Sequence, residues 1–443
     1  MRRLVLVVIC LMMLSTAVSS STMWDYQAVN ANGQPTHPLV GAPAFDGSGN
    51  PINQVVIEGI ALAGRYETFD PNFMYIIFLQ GIDGDMGGMQ VFSGRGYHQP
   101  YPWPYAGQIN FNAGDRLRIT GWLGFYAGQI RLNERHDPDL KFTVELIEAN
   151  VGLPAPYVMP SISECNYFDE TKAGGGEKYQ IRHVQLNNVQ IKSGTWAAGQ
   201  TLKIEDETGE IDMLLLLQGT FTSFPSGKIS VVGIFDQEDT TPPFTEGYRV
   251  LIRNQGDVAK YIDYSRQARN ITIGEKISAS DKYVTAVFPG FFYIQDANRQ
   301  GGIRVISNKT VSVGDRVSVF GALTDNNTPE KAITADYVSI QDTDLDRQNA
   351  IAVNGKTLAN EAGLDVFGQL IRVVGYNFST TSESDVFEIT TDIGQIVKIK
   401  AYASINPTIN VGDTVGITAI ATTEADGVTP MLLLYDTNDI VKY

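Results

Sequence analysis

The sequence predicts an all-β protein, a tandem array of about four small barrels or sandwiches with little helix. Three observations carry this. One pattern recurs four times: an apolar strand, a short acidic or glycine turn, a second strand, and a turn leading into a third. It reads 75–92 (YIIFLQGIDGDMGGMQVF) with 113–122 (AGDRLRITGW), 201–214 (TLKIEDETGEIDML) with 226–235 (SGKISVVGIF), 290–305 (GFFYIQDANRQGGIRV) with 313–321 (VGDRVSVFG), and 386–400 (VFEITTDIGQIVKIK) with 411–420 (VGDTVGITAI). At ~100 to 150 residues per domain, 443 residues hold three or four such units. Helical periodicity over three turns is almost absent, whereas short alternating strands recur between Gly, Asp and Asn.

Residues 1–20 are expected to lie outside the fold. Arg2 and Arg3 precede an uncharged apolar run from Leu4 to Leu14, and Ser15 to Ser20 supplies small residues for cleavage near residue 20. The pattern is that of a secretory signal peptide, since the run is shorter than the ~18 residues a membrane span needs. Residues 21–53, rich in Asn, Gly, Pro and Ser, read as an extended lead-in. Unit 1 follows at 54–150, opening with Val55 to Ala63, then a Pro-spaced linker and unit 2 at 161–262. Ser161 to Thr171 is the best candidate for a short helix, and Tyr179 to Ile191 alternates as a half-buried strand should. Unit 3 is expected at 268–342 and unit 4 at 348–443, with strands at Gly368 to Tyr376 and Met431 to Tyr435.

The formal charge is −16, and without Arg2 and Arg3 the remaining 31 basic and 49 acidic side chains give −18. Such a balance disfavours generic nucleic-acid binding, which relies on Lys and Arg to neutralise phosphates. No run of Lys and Arg is longer than a pair. With Cys10 in the leader, Cys165 is left alone, so stability has to come from packed sheets rather than an intrachain disulfide.

A first strand ending in Gly, a hairpin with an acidic-Gly turn (Asp206 to Gly209, Asp296 to Gly302, Asp392 to Gly394) and a later strand entered through Gly114-Asp115, Gly314-Asp315, Gly412-Asp413 or Pro225 to Lys228 together resemble the OB-fold. The resemblance covers 54–443 and is closest to tandem OB-like modules of secreted bacterial nucleases and surface proteins. It implies five-stranded barrels with oligonucleotide- or oligosaccharide-binding potential. The motifs themselves mark turns: Gly supplies positive φ, and the acid beside it bonds to nearby backbone N–H groups.

Catalytic motifs are absent. There is no G-x-S-x-G elbow and no H-E-x-x-H, and Gly227-Lys228 and Gly355-Lys356 lack the upstream Gly of a phosphate loop. The expectation is a protein with neither enzymatic activity nor a cofactor. The candidate ligand-binding residues are Tyr97, His98, Tyr101, Trp103 and Tyr105, gathered in the Pro-stiffened insertion 94–107 (GRGYHQPYPWPYAG), extended by Trp122 and Tyr126 with Phe125 between them. Ring faces on such a loop can stack on sugars or bases, although the same rings could pack down as a lid. Asp342, Asp344 and Asp346 form a weak Ca²⁺ candidate, because Arg347 and Val353 stand where an EF-hand loop needs Gly and Glu. Asp83 and Asp85 fail the same test. Of Phe291, Phe292 and Tyr293, only Phe291 and Tyr293 can share a strand face, and core filling is expected.

These observations point to a secreted ligand-binding array whose partner is an oligosaccharide or other cell-surface polymer, less readily nucleic acid. The competing expectation is a structural or adhesive spacer at the cell surface.

Overall fold

The computed structural model describes residues 21–71, 74–94, 109–134, 137, 139–325, 330–359, 365–404 and 408–443. After the short helix α1 (Met23–Tyr26), the first unit contains β1 (Val55–Ala61), β2 (Met74–Gly81), β3 (Gly88–Gly94), β4 (Arg116–Gly121), β5 (Leu123–Tyr126), β6 (Gln129–Asn133) and β7 (Thr143–Glu148). The second contains β8 (Tyr157–Val158), β9 (His183–Ser193), β10 (Thr201–Glu205), β11 (Glu210–Leu215), β12 (Ile229–Gln237), β13 (Tyr248–Ile252) and β14 (Val258–Tyr261). The third contains β15 (Lys276–Phe288), β16 (Phe291–Asp296), β17 (Gly302–Ile306), β18 (Arg316–Thr324) and β19 (Ala332–Asp342). The fourth contains β20 (Ile351–Ala352), α2 (Gly355–Leu358), β21 (Leu370–Thr380), β22 (Val386–Thr390), β23 (Ile396–Ala401), β24 (Val415–Thr423), β25 (Pro430–Leu434) and β26 (Ile440–Lys442).

In the second, third and fourth units the pairings close a ring of five strands: β9–β10–β11–β13–β12, β15–β16–β17–β19–β18 and β21–β22–β23–β25–β24. Only the third and fifth strands of each ring run parallel, so these are OB barrels. The first unit has the same order, but its fourth strand breaks at Trp122. There β4 pairs with β1 while β5 pairs with β6. The all-β OB-like array is thus what the chain forms.

The recurring turns have one job each. Gly114, Gly314 and Gly412 sit at φ 86°, 97° and 90°, in the left-handed region a Cβ would strain. The acid that follows accepts a backbone N–H from three residues back: Asn112 to Asp115 at 2.8 Å, Ser312 to Asp315 at 2.8 Å, Asn410 to Asp413 at 2.7 Å. The acid of the second-to-third-strand hairpin instead caps a helical turn that precedes the barrel. Asp85 accepts from Met23 N (2.7 Å), Asp206 from Ile162 N (2.8 Å), Asp296 from Ser265 N (3.1 Å) and Asp392 from Gly355 N (2.7 Å). Each capped turn pushes an apolar plug into its barrel core: Met23 and Tyr26, Ile162 and Cys165, Ala268, and Leu358.

Two expectations change accordingly. The start of the 21–53 lead-in is the plug of the first barrel rather than an external arm. Ser161 to Thr171 holds only a hydrogen-bonded turn, Asn166 N to Ile162 O at 2.9 Å, and no helix. In units two to four the first strand bends at a left-handed Asn or Asp: Asn188, Asp281 and Asn377, at φ 57°, 57° and 52°. A register shift falls beside each, which lets one strand pair with both the second and the fourth.

The barrels dock in pairs. Ile76 and Phe78, on the outer face of β2, pack against Leu214, Ile234 and Leu251 of the second unit. Phe291 and Tyr293 occupy the equivalent face of β16 and meet Leu370, Ile420 and Leu433 of the fourth. Ile234 and Leu251 stand opposite each other in their ladder, as do Ile420 and Leu433. Gln80 Oε1 accepts from His183 N, and Gln295 Oε1 from Leu370 N, both at 2.8 Å. A Cβ on Gly88 would lie 2.1 Å from Ile181 O, and one on Gly302 2.0 Å from Gly368 O. The chain is therefore two copies of one docked barrel pair, units 1–2 and units 3–4.

Candidate functional site

OB barrels commonly bind ligands on the face of strands two and three and on the adjoining loops. In units 1 and 3 that face is occupied, because it docks the next barrel. Phe292 fills the third core while Phe291 and Tyr293 serve the pair interface, so the aromatic triplet is packing on both sides of its strand. Among the described residues the corresponding faces of units 2 and 4 stay largely open, with only Leu214 near the end of β11 drawn into the first pair's interface.

On unit 2, Lys203 of β10 stands opposite Asp212 of β11 and bonds to it at 2.9 Å. Lys192 lies between Glu205 (2.9 Å) and Glu210 (2.8 Å). Its hydrogen bonds to Glu210 and Glu205 hold the ammonium above the usual lysine range. Trp196, in the loop between β9 and β10, meets Phe221 and Phe224 edge-on at 5.5 and 6.2 Å, and Phe224 is exposed. On unit 4, Tyr376, Thr390 and Ile396 lie in one cross-strand row, with Tyr376 46% and Ile396 59% exposed. Lys398 faces Glu388 across the ladder and bonds to Glu424 at 2.8 Å, and Lys400 pairs with Asp385 at 3.5 Å. Tyr402, just past the end of β23, is half exposed and packs against the third unit, its ring 4.7 Å from Phe288. Both faces thus combine accessible rings or apolar side chains with charges that already have partners.

The aromatic insertion of unit 1 is only partly placed. Tyr97, His98, Tyr101, Trp103 and Tyr105 lie outside the described residues. Trp122 is a correction: it is buried, donates Nε1–H to Ile52 O at 2.8 Å and packs beside Phe45, because it fills the break in the fourth strand. Tyr126 is exposed, with Arg131 5.1 Å from its ring centroid, and Phe125 packs on Phe244. Trp196 and Tyr376 were missed by sequence reasoning because each stands in a segment without an aromatic cluster.

Among the described residues, no group of three or more His, Cys, Asp or Glu side chains is gathered as a metal site requires. Asp342, Asp344 and Asp346 do not converge: Asp342 turns to Arg316 at 3.8 Å, and Asp344 accepts from Thr343 Oγ1 at 3.3 Å. Asp85 serves as a cap. Cys165 is a buried free thiol whose pKa burial pushes up to about 12, a packing group. Glu177 is raised to about 7 by burial, yet it lies inside the second unit, bonded to Tyr248 Oη and Gln180 Nε2. No helix among the described residues is long and apolar enough to cross a membrane.

No family model and no curated protein matches the chain. Among solved structures it is similar to a Drosophila Unr CSD456 fragment, at 9% identity and a TM-score of 0.21, covering 58% of this chain and 96% of that one. It is also similar to the tetrameric p202 HIN2 domain, at 12% identity and a TM-score of 0.17, covering 36% and 92%. A multidomain protein with nucleic acid binding domains from Streptococcus pneumoniae gives 11% identity and a TM-score of 0.11, covering 57% and 73%. Scores this low lend no weight to any activity, and the OB assignment rests on the strand rings.

Proposed function

We propose that this chain is an exported, non-enzymatic binding protein that holds an extracellular oligosaccharide or related polymer on the open faces of units 2 and 4. The observation that carries the reading is the asymmetry of the barrel faces. Pair docking closes two of them and leaves two equivalent ones open, each with accessible apolar side chains. Two like sites on one framework suit a repeating ligand, whose second contact becomes intramolecular. Sugars present a donor and an acceptor at nearly every hydroxyl, and paired Lys–carboxylate groups such as Lys203–Asp212 and Lys398–Glu424 offer both. A phosphate backbone would instead need unpaired cations. The leader-like 1–20 segment and the resemblance to modules of secreted bacterial proteins support export.

A second reading, a rigid surface spacer, is favoured by the apolar docking within each pair. One experiment separates them. The mature protein, Trp196→Ala and Tyr376→Ala are titrated with neutral plant and bacterial oligosaccharides and with single-stranded DNA. The expected result is saturable sugar binding, insensitive to salt and weakened roughly tenfold, about 1.4 kcal/mol, by each substitution. Binding of DNA alone, with a steep salt dependence, overturns the sugar reading, and silence toward every probe leaves the spacer.

A further inference from the structure

Units 1, 2 and 3 meet around a cleft of about 700 Å³, away from both open faces. Its charge runs against that of the chain. Arg182, Lys309 and Arg316 line it together with one carboxylate, Asp281, which is bonded to Arg316 at 2.8 Å. The whole sequence carries −16.

Arg182 lacks what a buried cation normally has. Its Nε and Nη1 are buried without a hydrogen-bond partner, and its guanidinium carbon lies 5.5 Å from the centroid of the Tyr157 ring. A desolvated charge without an acceptor is costly, and an anion seated in the cleft would relieve that cost. Asn187 is also committed. Its Oδ1 accepts from Gln185 Nε2 (2.7 Å), Ser230 Oγ (2.7 Å) and Ser278 Oγ (3.2 Å), which fixes the amide orientation. Its Nδ2 is left as a buried donor without a partner at the cleft wall. His183, only 1% exposed, places Nδ1 2.8 Å from Pro154 O, so the proton belongs on Nδ1. That leaves Nε2 as an acceptor without a partner.

We propose that this cleft binds a small hydroxy-carboxylate, of the uronic-acid class, with Arg182 and Asn187 holding the carboxylate and His183 accepting from a ligand hydroxyl. Arg182 and Asn187 Nδ2 suit a monoanionic carboxylate, whereas the second cation that a phosphate dianion would call on, Lys309, stands out at the exposed rim. The volume lies within the range of small-molecule pockets, roughly 300 to 1,000 Å³. Lys309, exposed at the rim, steers the anion in.

The test is calorimetric titration of the full mature chain with galacturonate, glucuronate, methyl glucoside and inorganic phosphate. The uronates are expected to bind at least tenfold more tightly than the neutral sugar or phosphate. Arg182→Gln should remove that preference without lowering the thermal midpoint, since it deletes an unpaired buried charge; a purely structural arginine would lower it. The near-isosteric Asn187→Asp should weaken uronate at least tenfold by repulsion, and Lys309→Ala a few-fold, at low salt only. These two variants keep the test decisive if Arg182→Gln does not fold. Equal affinity for acid and neutral sugar, preference for phosphate, or no heat with any probe in the folded protein overturns the proposal. Loss of uronate binding by Arg182→Gln while neutral oligosaccharides still respond to Trp196→Ala would separate this cleft from the open faces.

Discussion

The contact between units 1 and 2 and the contact between units 2 and 3 are made by the same kind of barrel, yet they are built from opposite materials. Within the first pair, Ile76 and Phe78 meet Leu214, Ile234 and Leu251 in a dry cluster, and the second pair repeats it with Phe291, Tyr293, Leu370, Ile420 and Leu433. Between the pairs, the apolar part shrinks to Val232, Ala259 and Phe320 with Tyr337 beside them. The rest is polar: Gln185 Nε2 reaches Ser278 Oγ at 3.2 Å and Ser318 Oγ at 3.1 Å, and Ser339 Oγ donates to Pro156 O at 2.8 Å. An apolar face packs wherever its shape is matched, whereas a polar one must satisfy every buried atom. The orphaned atoms of Arg182, His183 and Asn187 all gather at the polar junction, beside the cleft. The pairs are the stable blocks, and the seam between them is where a ligand has room.

The largest effect expected from this contrast comes from Phe78→Ala. Phe78 is fully buried in the pair interface, and truncating such a ring costs about 3–5 kcal/mol. Denaturant unfolding followed by hydrogen exchange should show protection lost across β2, β12 and β13 while β16, β24 and β25 keep theirs. A uniform loss through all four units would break the picture of two separate blocks.

Much of this division was legible in the chain, and the part that was not has a physical cause. The second strand of the barrel reads YIIFLQ in unit 1 and FFYIQ in unit 3, apolar on both faces and ending in Gln, whereas TLKIE in unit 2 and VFEIT in unit 4 alternate. A strand apolar on both sides is buried on both sides, so the pairing was written there. The doublets Gly87-Gly88 and Gly301-Gly302 belong to the same signal. A Cβ on Gly87 would lie 2.2 Å from Trp24 N, and one on Gly301 2.5 Å from Arg266 N. The left-handed bends at Asn188, Asp281 and Asn377 escaped notice because Asn and Asp are also ordinary loop residues. The cleft was invisible for a different reason. Gln80, Tyr157, Arg182 and Arg316 come from segments far apart in sequence, and only the docking brings them to one wall.

A mid-sized effect should follow from pH. Glu177 is held near 7 by burial, against an ordinary 4.5, although bonds from Tyr248 and Gln180 favour its charged form. Below pH 4.5 the folded and unfolded forms are both protonated there and nothing is gained or lost. Between 4.5 and about 7 the unfolded chain ionises first, so stability falls as pH rises, by roughly 3 kcal/mol in all, and stays low above that window. Gln180 Nε2 also bonds to Gln237, and its carbonyl accepts from Gln27, so the loss falls on the first pair. Glu177→Gln should flatten this part of the stability profile, and an unchanged slope in the variant would assign it elsewhere.

The smallest effect belongs to the seam. Ser318→Ala removes one hydroxyl that receives Gln185 Nε2, while Asn187 Oδ1 and Ser278 Oγ remain within reach of the same amide. Because the donor keeps partners, the cost should stay near 0.5–1.5 kcal/mol, the ordinary net worth of one hydrogen bond, instead of rising to the penalty for an orphaned group. Ser318 comes from unit 3 and Gln185 from unit 2, so the substitution loosens one block against the other without touching either core. Unfolding of each pair should keep its own midpoint, and uronate binding at the cleft should change little, since Gln185, Ser230 and Ser278 still hold Asn187 Oδ1. If Ser318→Ala instead costs as much as Phe78→Ala, the seam is as firm as the pair interfaces and the chain unfolds as a single block.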